Sequence, residues 1–90
     1  MKLSDELLTE ISYVKISTYR TRVMVSLEDE IKIPYKIAED ADIRQNHISK
    51  VLGELKEHEL VECINPEVRK GRLYRQTDKG ELVSKNITLD

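Results

Sequence analysis

Residues 44–50, with the sequence Arg-Gln-Asn-His-Ile-Ser-Lys, hold a short run of hydrogen-bonding side chains that contains no acidic residue. Asparagine and glutamine can make paired hydrogen bonds to adenine, and arginine can do so to guanine, in the major groove of duplex DNA. The same run could equally be the solvent-facing side of an ordinary amphipathic helix, so its interpretation depends on the surrounding chain. The side chains that could carry this chemistry are Arg44, Gln45, Asn46, His47, Ser49 and Lys50.

A second basic segment, residues 69–72, contains Gly71 and follows the turn-forming pair Asn65-Pro66, which predicts the tip of a β-hairpin. Its cations could reach backbone phosphates or lie in the minor groove. Alternatively, a charged tip merely keeps a sheet edge soluble. Arg75 is a weaker candidate, because we expect it on the core side of the sheet. The basic side chains of the tip are Arg69, Lys70 and Arg72.

Both segments carry a net positive charge. Residues 44–50 carry a net charge of +2 and residues 65–75 a net charge of +3, in a chain of 90 residues whose net charge is −2. The overall charge therefore gives no sign of a nucleic-acid partner, but its distribution does, since a local basic patch is what contacts a phosphate backbone.

Two helices joined by a tight turn should position the first polar cluster. Pro34 suits the first position of a helix, and Asp42 is one of the few non-glycine residues that tolerate a left-handed turn. From residue 44 to about residue 58 a second helix is predicted, because four apolar residues recur on one face. These inward-facing residues are Ile48, Val51, Leu52 and Leu55.

The flanking segments complete one small domain. A helix is predicted over residues 1–12 with Ser4 as its cap, and a second apolar stripe begins near Ser17 or Thr18, either as a continuation of the first helix or as a separate one. Residues 31–33, 60–64 and 73–76 are predicted strands, and Thr77 should cap a last helix.

The composition argues against several classes of function. Cys63 is the only cysteine, which excludes an intramolecular disulfide and a cysteine-based zinc site. His47 and His58 lack matched carboxylates, so no metal is expected. No phosphate-binding glycine loop or nucleophile elbow occurs, and we expect neither an enzyme nor a cofactor. Without a signal peptide or a membrane-spanning run, the chain is expected to be cytoplasmic.

The order helix, short strand, helix, helix, strand, basic hairpin, strand, helix resembles the winged helix-turn-helix domain. Three blocks carry the resemblance: STYRTRVMVSL, KIAEDADIRQNHISKVLGELKEHELVE and NPEVRKGRLYRQTDKGELV. They look most like small archaeal winged-helix transcriptional regulators, and more broadly like MarR-type repressors. The chain departs from the usual pattern where a helix cap, two glycines and a leucine are common, at Ile33, Asp42, Glu59 and Gln76.

The resemblance implies an α+β fold, a three-helix core with a small antiparallel sheet and wing. It also implies one domain over residues 1–90, with a helical extension at 1–16, the winged helix at 17–85 and a frayed tail at 86–90. The implied function is sequence-specific binding of double-stranded DNA by a transcriptional regulator, with recognition helix 44–58 in the major groove and wing 65–72 on the backbone or minor groove. Tyr35 could donate to a phosphate or simply cover the core.

Two alternatives stay open. A winged helix can also serve as a protein–protein docking module without binding DNA, and a third, weaker reading is RNA binding. Regulators of this type commonly dimerise to bind two half-sites, and the N-terminal apolar stripe either forms a homodimer surface or folds back on its own domain. The stripe consists of Leu3, Leu7, Ile11 and Val14.

Overall fold

The computed structural model describes residues 4–87, and in this part of the chain five helices surround a core that is closed at one side by a two-stranded antiparallel sheet. The α+β fold class predicted from the sequence is confirmed. The elements are α1 (Asp5–Lys15), α2 (Thr18–Ser26), α3 (Pro34–Ala41), α4 (Gln45–Glu57), β1 (Val61–Cys63), β2 (Tyr74–Gln76) and α5 (Asp78–Ser84).

Side-chain caps fix where three of the helices begin. The hydroxyl oxygen of Ser4 accepts a hydrogen bond from the backbone N–H of Leu7 at 3.1 Å, and that of Ser17 accepts one from Arg20 at 3.1 Å. Thr77 caps α5 in the same way. Because Ser17 starts a new helix, α1 and α2 are separate helices rather than one bent helix.

The turn between α3 and α4 is built on Asp42, which adopts the predicted left-handed conformation with φ 57° and ψ 51°. Ile43 then donates its backbone N–H to the carbonyl of Ala38 at 2.9 Å, which closes the end of α3. Pro34 begins α3 as predicted, and Ile33 before it gives no side-chain cap. Glu59 is also left-handed, with φ 61°, where a glycine is usual.

The sheet is smaller than the sequence predicted. Val61 pairs with Gln76 and Cys63 with Tyr74, so each predicted strand is shorter by one or two residues. The predicted strand at residues 31–33 is a single bridge, in which Lys32 and Tyr74 exchange two backbone hydrogen bonds of 3.1 and 2.8 Å. The bridge nevertheless joins the start of α3 to the base of the wing.

The core combines apolar residues from all five helices and β1. Gln76, which replaces a common leucine in the last strand, is buried and donates to the carbonyl of Met24 and the hydroxyl of Ser84, each at 2.7 Å. A buried amide with both donors used costs little. The buried apolar residues are Ile11, Val14, Val23, Met24, Leu27, Ile37, Ala38, Ala41, Ile43, Ile48, Val51, Leu52, Leu55, Leu60, Val61, Val83 and Ile87.

The N-terminal stripe folds back on its own domain. Ile11 and Val14 are buried in the core, and Leu7 packs against it, so of the two predicted alternatives the described residues favour folding back on the domain. The physical reason is that α1 packs on α2 and α5 and covers apolar surface there. Leu3 lies outside the described residues.

The first two residues of the predicted frayed tail, 86–90, are ordered by contacts with the domain. Asn86 donates its side-chain amide to the carbonyl of Leu82, and Ile87 is buried. Residues 88–90 lie outside the described residues. None of the helices described between residues 4 and 87 is long and apolar enough to cross a membrane.

Candidate nucleic-acid interface

The outward face of α4 is defined by its buried face. Four apolar residues of α4 point into the core, and with 3.6 residues per turn the opposite side carries Asn46, Lys50 and Gly53. All three are exposed. A Cβ added at Gly53 would meet no atom within 4 Å, so this side of the helix is open. The helix is one residue shorter at each end than the predicted 44–58, because Arg44 and His58 occupy the two cap positions.

The two flanks of α4 face different neighbours. On the α3 side, Gln45 donates its side-chain amide to the backbone carbonyl of Tyr35 at 3.2 Å. The Tyr35 side chain is 59% exposed and does not cover the core. On the α2 side, the ring of His47 lies 5.8 Å from the ring of Tyr19, measured between centroids. The predicted cluster is therefore spread over three sides of one helix.

Four of the six side chains predicted at the start of α4 are free to bind a partner. They are exposed, and no hydrogen bond or ion pair joins their side chains to another residue in the described part of the chain. An exposed cation without a partner keeps its full charge for a phosphate. The four are Arg44, Asn46, Ser49 and Lys50.

The loop between β1 and β2 is held by one asparagine. Asn65 accepts a hydrogen bond from the backbone N–H of Leu73 at 2.8 Å and donates to the carbonyl of Gly71 at 3.2 Å. Gly71 has φ 74°, a conformation that few other residues adopt. The predicted hairpin, with a glycine at its tip, is therefore present as a side-chain-braced loop.

The three basic residues of this loop are exposed, but they are not equivalent. Arg72 donates from Nε to the carbonyl of Val68 at 2.7 Å, so part of its guanidinium group is used inside the loop. Arg69 and Lys70 have no hydrogen-bonding or ion-pair partner among residues 4–87. The tip therefore presents two free cations and one partly engaged cation.

Arg75 lies on the outer side of the sheet. Its guanidinium Nε is 2.8 Å from a carboxylate oxygen of Glu62 on the neighbouring strand, and both side chains are about half exposed. The expectation that Arg75 faces the core is wrong, because Val61 and Gln76, the neighbouring pair in the register, are the residues turned inward. Its charge is already paired.

A polar belt connects α4 to α1, α2 and α5. We define this belt as Glu10, Tyr13, Arg20, Glu54, His58 and Lys79. Arg20 donates to Glu54 on α4 at 3.2 Å and to the carbonyl of Tyr13 at 2.9 Å, and its guanidinium carbon lies 3.8 Å from the centre of the Tyr13 ring. The Tyr13 ring in turn stacks on His58 with centroids 3.6 Å apart. These contacts fix the flank of α4 that faces α2.

Glu10 completes the polar belt from the buried side. One of its oxygens is 2.8 Å from Nδ1 of His58 and the other is 2.7 Å from Nζ of Lys79. Burial alone would raise the pKa of the Glu10 carboxyl, but the hydrogen bonds with Lys79 and His58 outweigh it and hold that pKa below its ordinary value. The carboxylate is thus kept charged between two partners at the end of α4.

A second tie holds α3 against the sheet. The Lys32 side chain is only 10% exposed, and its Nζ lies 2.8 Å from Asp40 on α3 and 2.6 Å from the carbonyl of Ser26 on α2. The hydrogen bond from Lys32 lowers the pKa of the Asp40 carboxyl. Since Lys32 also forms the bridge to β2, one residue links α2, α3 and the base of the wing.

An open cleft of about 320 Å³ runs between the start of α2 and the α2-facing flank of α4. Sequence patterns alone did not indicate that α2 belongs to the interface, because the residues that meet here are about thirty positions apart. The described residues contain no group of three side chains that could hold a metal ion. The lining residues of the cleft are Ser17, Tyr19, Arg20, His47, Lys50, Val51 and Glu54.

Comparisons with known proteins support the fold. No family model matches the sequence, and no curated protein matches it either. Among solved structures, the chain is similar to a MarR family transcriptional regulator from Silicibacter pomeroyi, with a TM-score of 0.70 and 14% identity over 92% of this chain and 62% of that one. It is also similar to an apo form of a doubly substituted ZitR from Lactococcus lactis, with a TM-score of 0.61 and 24% identity over 94% of this chain and 70% of that one.

The chain thus spans less than two thirds of the length of the Silicibacter regulator. At these identities the likeness concerns the fold, and it agrees with the helix pair, the small sheet and the braced loop described above. The protein has the winged helix-turn-helix fold found in a MarR family transcriptional regulator.

Proposed function

We propose that the chain binds double-stranded DNA in a sequence-specific manner as a transcriptional regulator. In this proposal α4, with the flanking Arg44, lies in the major groove. Asn46 faces the bases, and Lys50 is placed to reach a base or a phosphate. The loop over residues 65–72 lies along the backbone or in the minor groove, as a wing. A helix of this diameter fits the major groove, and its first turns reach the base edges.

The observation that carries the proposal is the state of the basic side chains in the two segments. Lys50, Arg69 and Lys70 are exposed and have no carboxylate partner in the described part of the chain, whereas the next basic residue after the wing, Arg75, is paired with Glu62. Exposed cations without a carboxylate partner, on a helix face and at a loop tip, can neutralise the phosphates of a DNA backbone.

Further support comes from the open side of α4. Asn46 and Lys50 project from a face where Gly53 adds no side chain, so the backbone of α4 can approach a surface closely there. Gln45 and Tyr35 lie together beside it, and the exposed Tyr35 hydroxyl is suited to donate to a phosphate. The likeness to a transcriptional regulator of the same fold agrees with this reading.

The alternative is a protein–protein docking module, which the net charge of −2 would suit. The two functions differ in their response to salt and in the surface they use. DNA binding through phosphates weakens steeply with salt, and it must involve residues 44–50 together with residues 69–72. A docking module has no need of both segments.

A titration of isotope-labelled protein with duplex DNA tests the proposal. We expect the backbone amide resonances of residues 44–50 and 69–72 to shift together, while those around the paired Glu62 move little. Shifts confined to β1, or the absence of any shift at 50 mM salt, would contradict DNA binding. A suitable first duplex is the sequence upstream of the protein's own coding region.

Specificity is tested by selection from a random duplex library. We expect the library to converge on a short motif, and Asn46→Ala to relax the preference at one position by about 1–3 kcal/mol, the discrimination of a paired hydrogen bond to a base. Arg69→Ala is the matched control, because loss of a phosphate contact should weaken binding to all sequences alike.

A further inference from the structure

The open cleft between α2 and α4 brings Tyr19, which lies outside the two predicted segments, together with two donors of α4. Tyr19 contributes a ring that is 37% exposed, and His47 faces it at a centroid distance of 5.8 Å. Lys50 forms the outer edge of the cleft and also belongs to the outward face of α4. The cleft is therefore continuous with the surface that we assign to DNA.

The remaining charges of the cleft are already paired with each other. Arg20 donates to Glu54 at 3.2 Å, and its guanidinium also lies over the ring of Tyr13. The pair closes the inner end of the cleft with no net charge. The charge that is left for a ligand at the cleft is that of Lys50, so the cleft suits an anion.

The geometry of the major groove indicates which anion lies there. A helix with its side chains is about 10–12 Å across, and the groove is about 12 Å wide, so a phosphate strand runs along each flank of the helix. On the α3 flank Tyr35 is exposed beside Gln45, and on the α2 flank Tyr19 is exposed beside His47. Two tyrosines thus bracket α4.

We propose that the cleft between α2 and α4 binds one backbone phosphate of the duplex. This proposal rests on the proposed DNA binding. The Tyr19 hydroxyl and the His47 ring donate hydrogen bonds to the phosphate oxygens, and Lys50 supplies the positive charge. The open cleft, with a volume of about 320 Å³, leaves room for a phosphate group with part of its hydration shell. α2 thereby joins α3, α4 and the wing as a DNA-contacting element.

Tyr19→Phe tests the proposed phosphate site, because it removes the hydroxyl and keeps the ring. We expect the affinity for duplex DNA to fall about tenfold, as for loss of a hydrogen bond to a charged group. The slope of log K against log salt should not change, because a neutral donor releases no counterion, whereas Lys50→Ala should weaken binding and also flatten the slope. Tyr74→Phe, which removes a hydroxyl from the sheet, is the matched control.

Ethylation interference on a selected duplex locates the contact directly. Ethylation of one phosphate that blocks the wild-type chain should weaken binding less for Tyr19→Phe, which keeps only the His47 and Lys50 contacts. The same ethylation should weaken binding as before for Arg69→Ala. If Tyr19→Phe binds like the wild type while Lys50→Ala and Arg69→Ala weaken binding, the phosphate site in the cleft is refuted and DNA binding is retained. If the wild-type chain binds no duplex at low salt, both the proposed function and the phosphate site are refuted.

Discussion

The affinity for duplex DNA should fall steeply as salt is added, and the structure sets the size of the effect. Five basic side chains of the proposed interface are exposed and have no ion-pair partner among the described residues. Each one that neutralises a phosphate releases a counterion and contributes about −0.9 to the slope of log K against log salt. The five are Arg44, Lys50, Arg69, Lys70 and Arg72.

If all five cations engage phosphates, the slope is about −4.5 per chain, and a rise from 50 to 200 mM salt weakens binding roughly 500-fold. Arg72 already donates to the carbonyl of Val68. Without its contribution the slope is about −3.6 and the loss about 150-fold. Lys50→Ala and Arg69→Ala should each flatten the slope by about 0.9.

Fluorescence anisotropy of a labelled duplex, titrated with protein at several salt concentrations, measures these slopes. Arg75→Ala is the control, because the Arg75 guanidinium is engaged by Glu62 at 2.8 Å and should leave the slope unchanged. A wild-type slope shallower than about −1 would refute the assignment of these cations to phosphates. Equal flattening by Arg75→Ala and Lys50→Ala would refute the argument from pairing.

Three further predictions concern the parts that position the interface. Gly80→Ala should lower the free energy of unfolding, measured by urea denaturation, by about 2–4 kcal/mol, because its Cβ would overlap the carbonyl oxygen of Leu60. Gly53→Ala has open space around its Cβ and should raise the free energy of unfolding by roughly 1 kcal/mol. Glu10→Gln should lower the unfolding free energy by about 1–3 kcal/mol at pH 7 and by less at pH 3. The reason is that the folded-state pKa of Glu10 is depressed, so the stabilisation is present above the ordinary value of 4.5 and is lost as the pH falls through the folded-state pKa. Asn65→Ala should leave urea stability nearly unchanged, speed hydrogen exchange at the wing by opening two hydrogen bonds, and weaken DNA binding.

Short-range features were predictable because their causes lie within a few residues. Ser4, Ser17 and Thr77 cap helices through bonds to the third residue that follows each of them, and this spacing can be read directly from the sequence. The turn at Asp42 was predictable for the same reason, since the conformational tolerance of aspartate is a property of one residue. The order of elements, and with it the resemblance to a winged helix, followed from such local features.

The lengths of the strands and the packing of the first helix were not predictable in this way. Lys32 forms one bridge rather than a strand because its partner, Tyr74, is 42 positions away and offers only one pair of hydrogen bonds. Ile11 and Val14 could have formed a dimer surface on the evidence of their spacing alone. Only the packing of α1 against α2 and α5 shows that they lie inside the chain.

For the interface, the sequence determined which residue types occur at the start of α4 and at the wing tip, and therefore their charge and hydrogen-bonding capacity. The tertiary structure decided which of these groups are free. It turned Gln45 toward Tyr35, paired Arg75 with Glu62, and brought α2 beside α4. The reason is physical: side-chain chemistry is fixed by each residue alone, but whether a group is exposed or paired depends on neighbours that are distant in the chain.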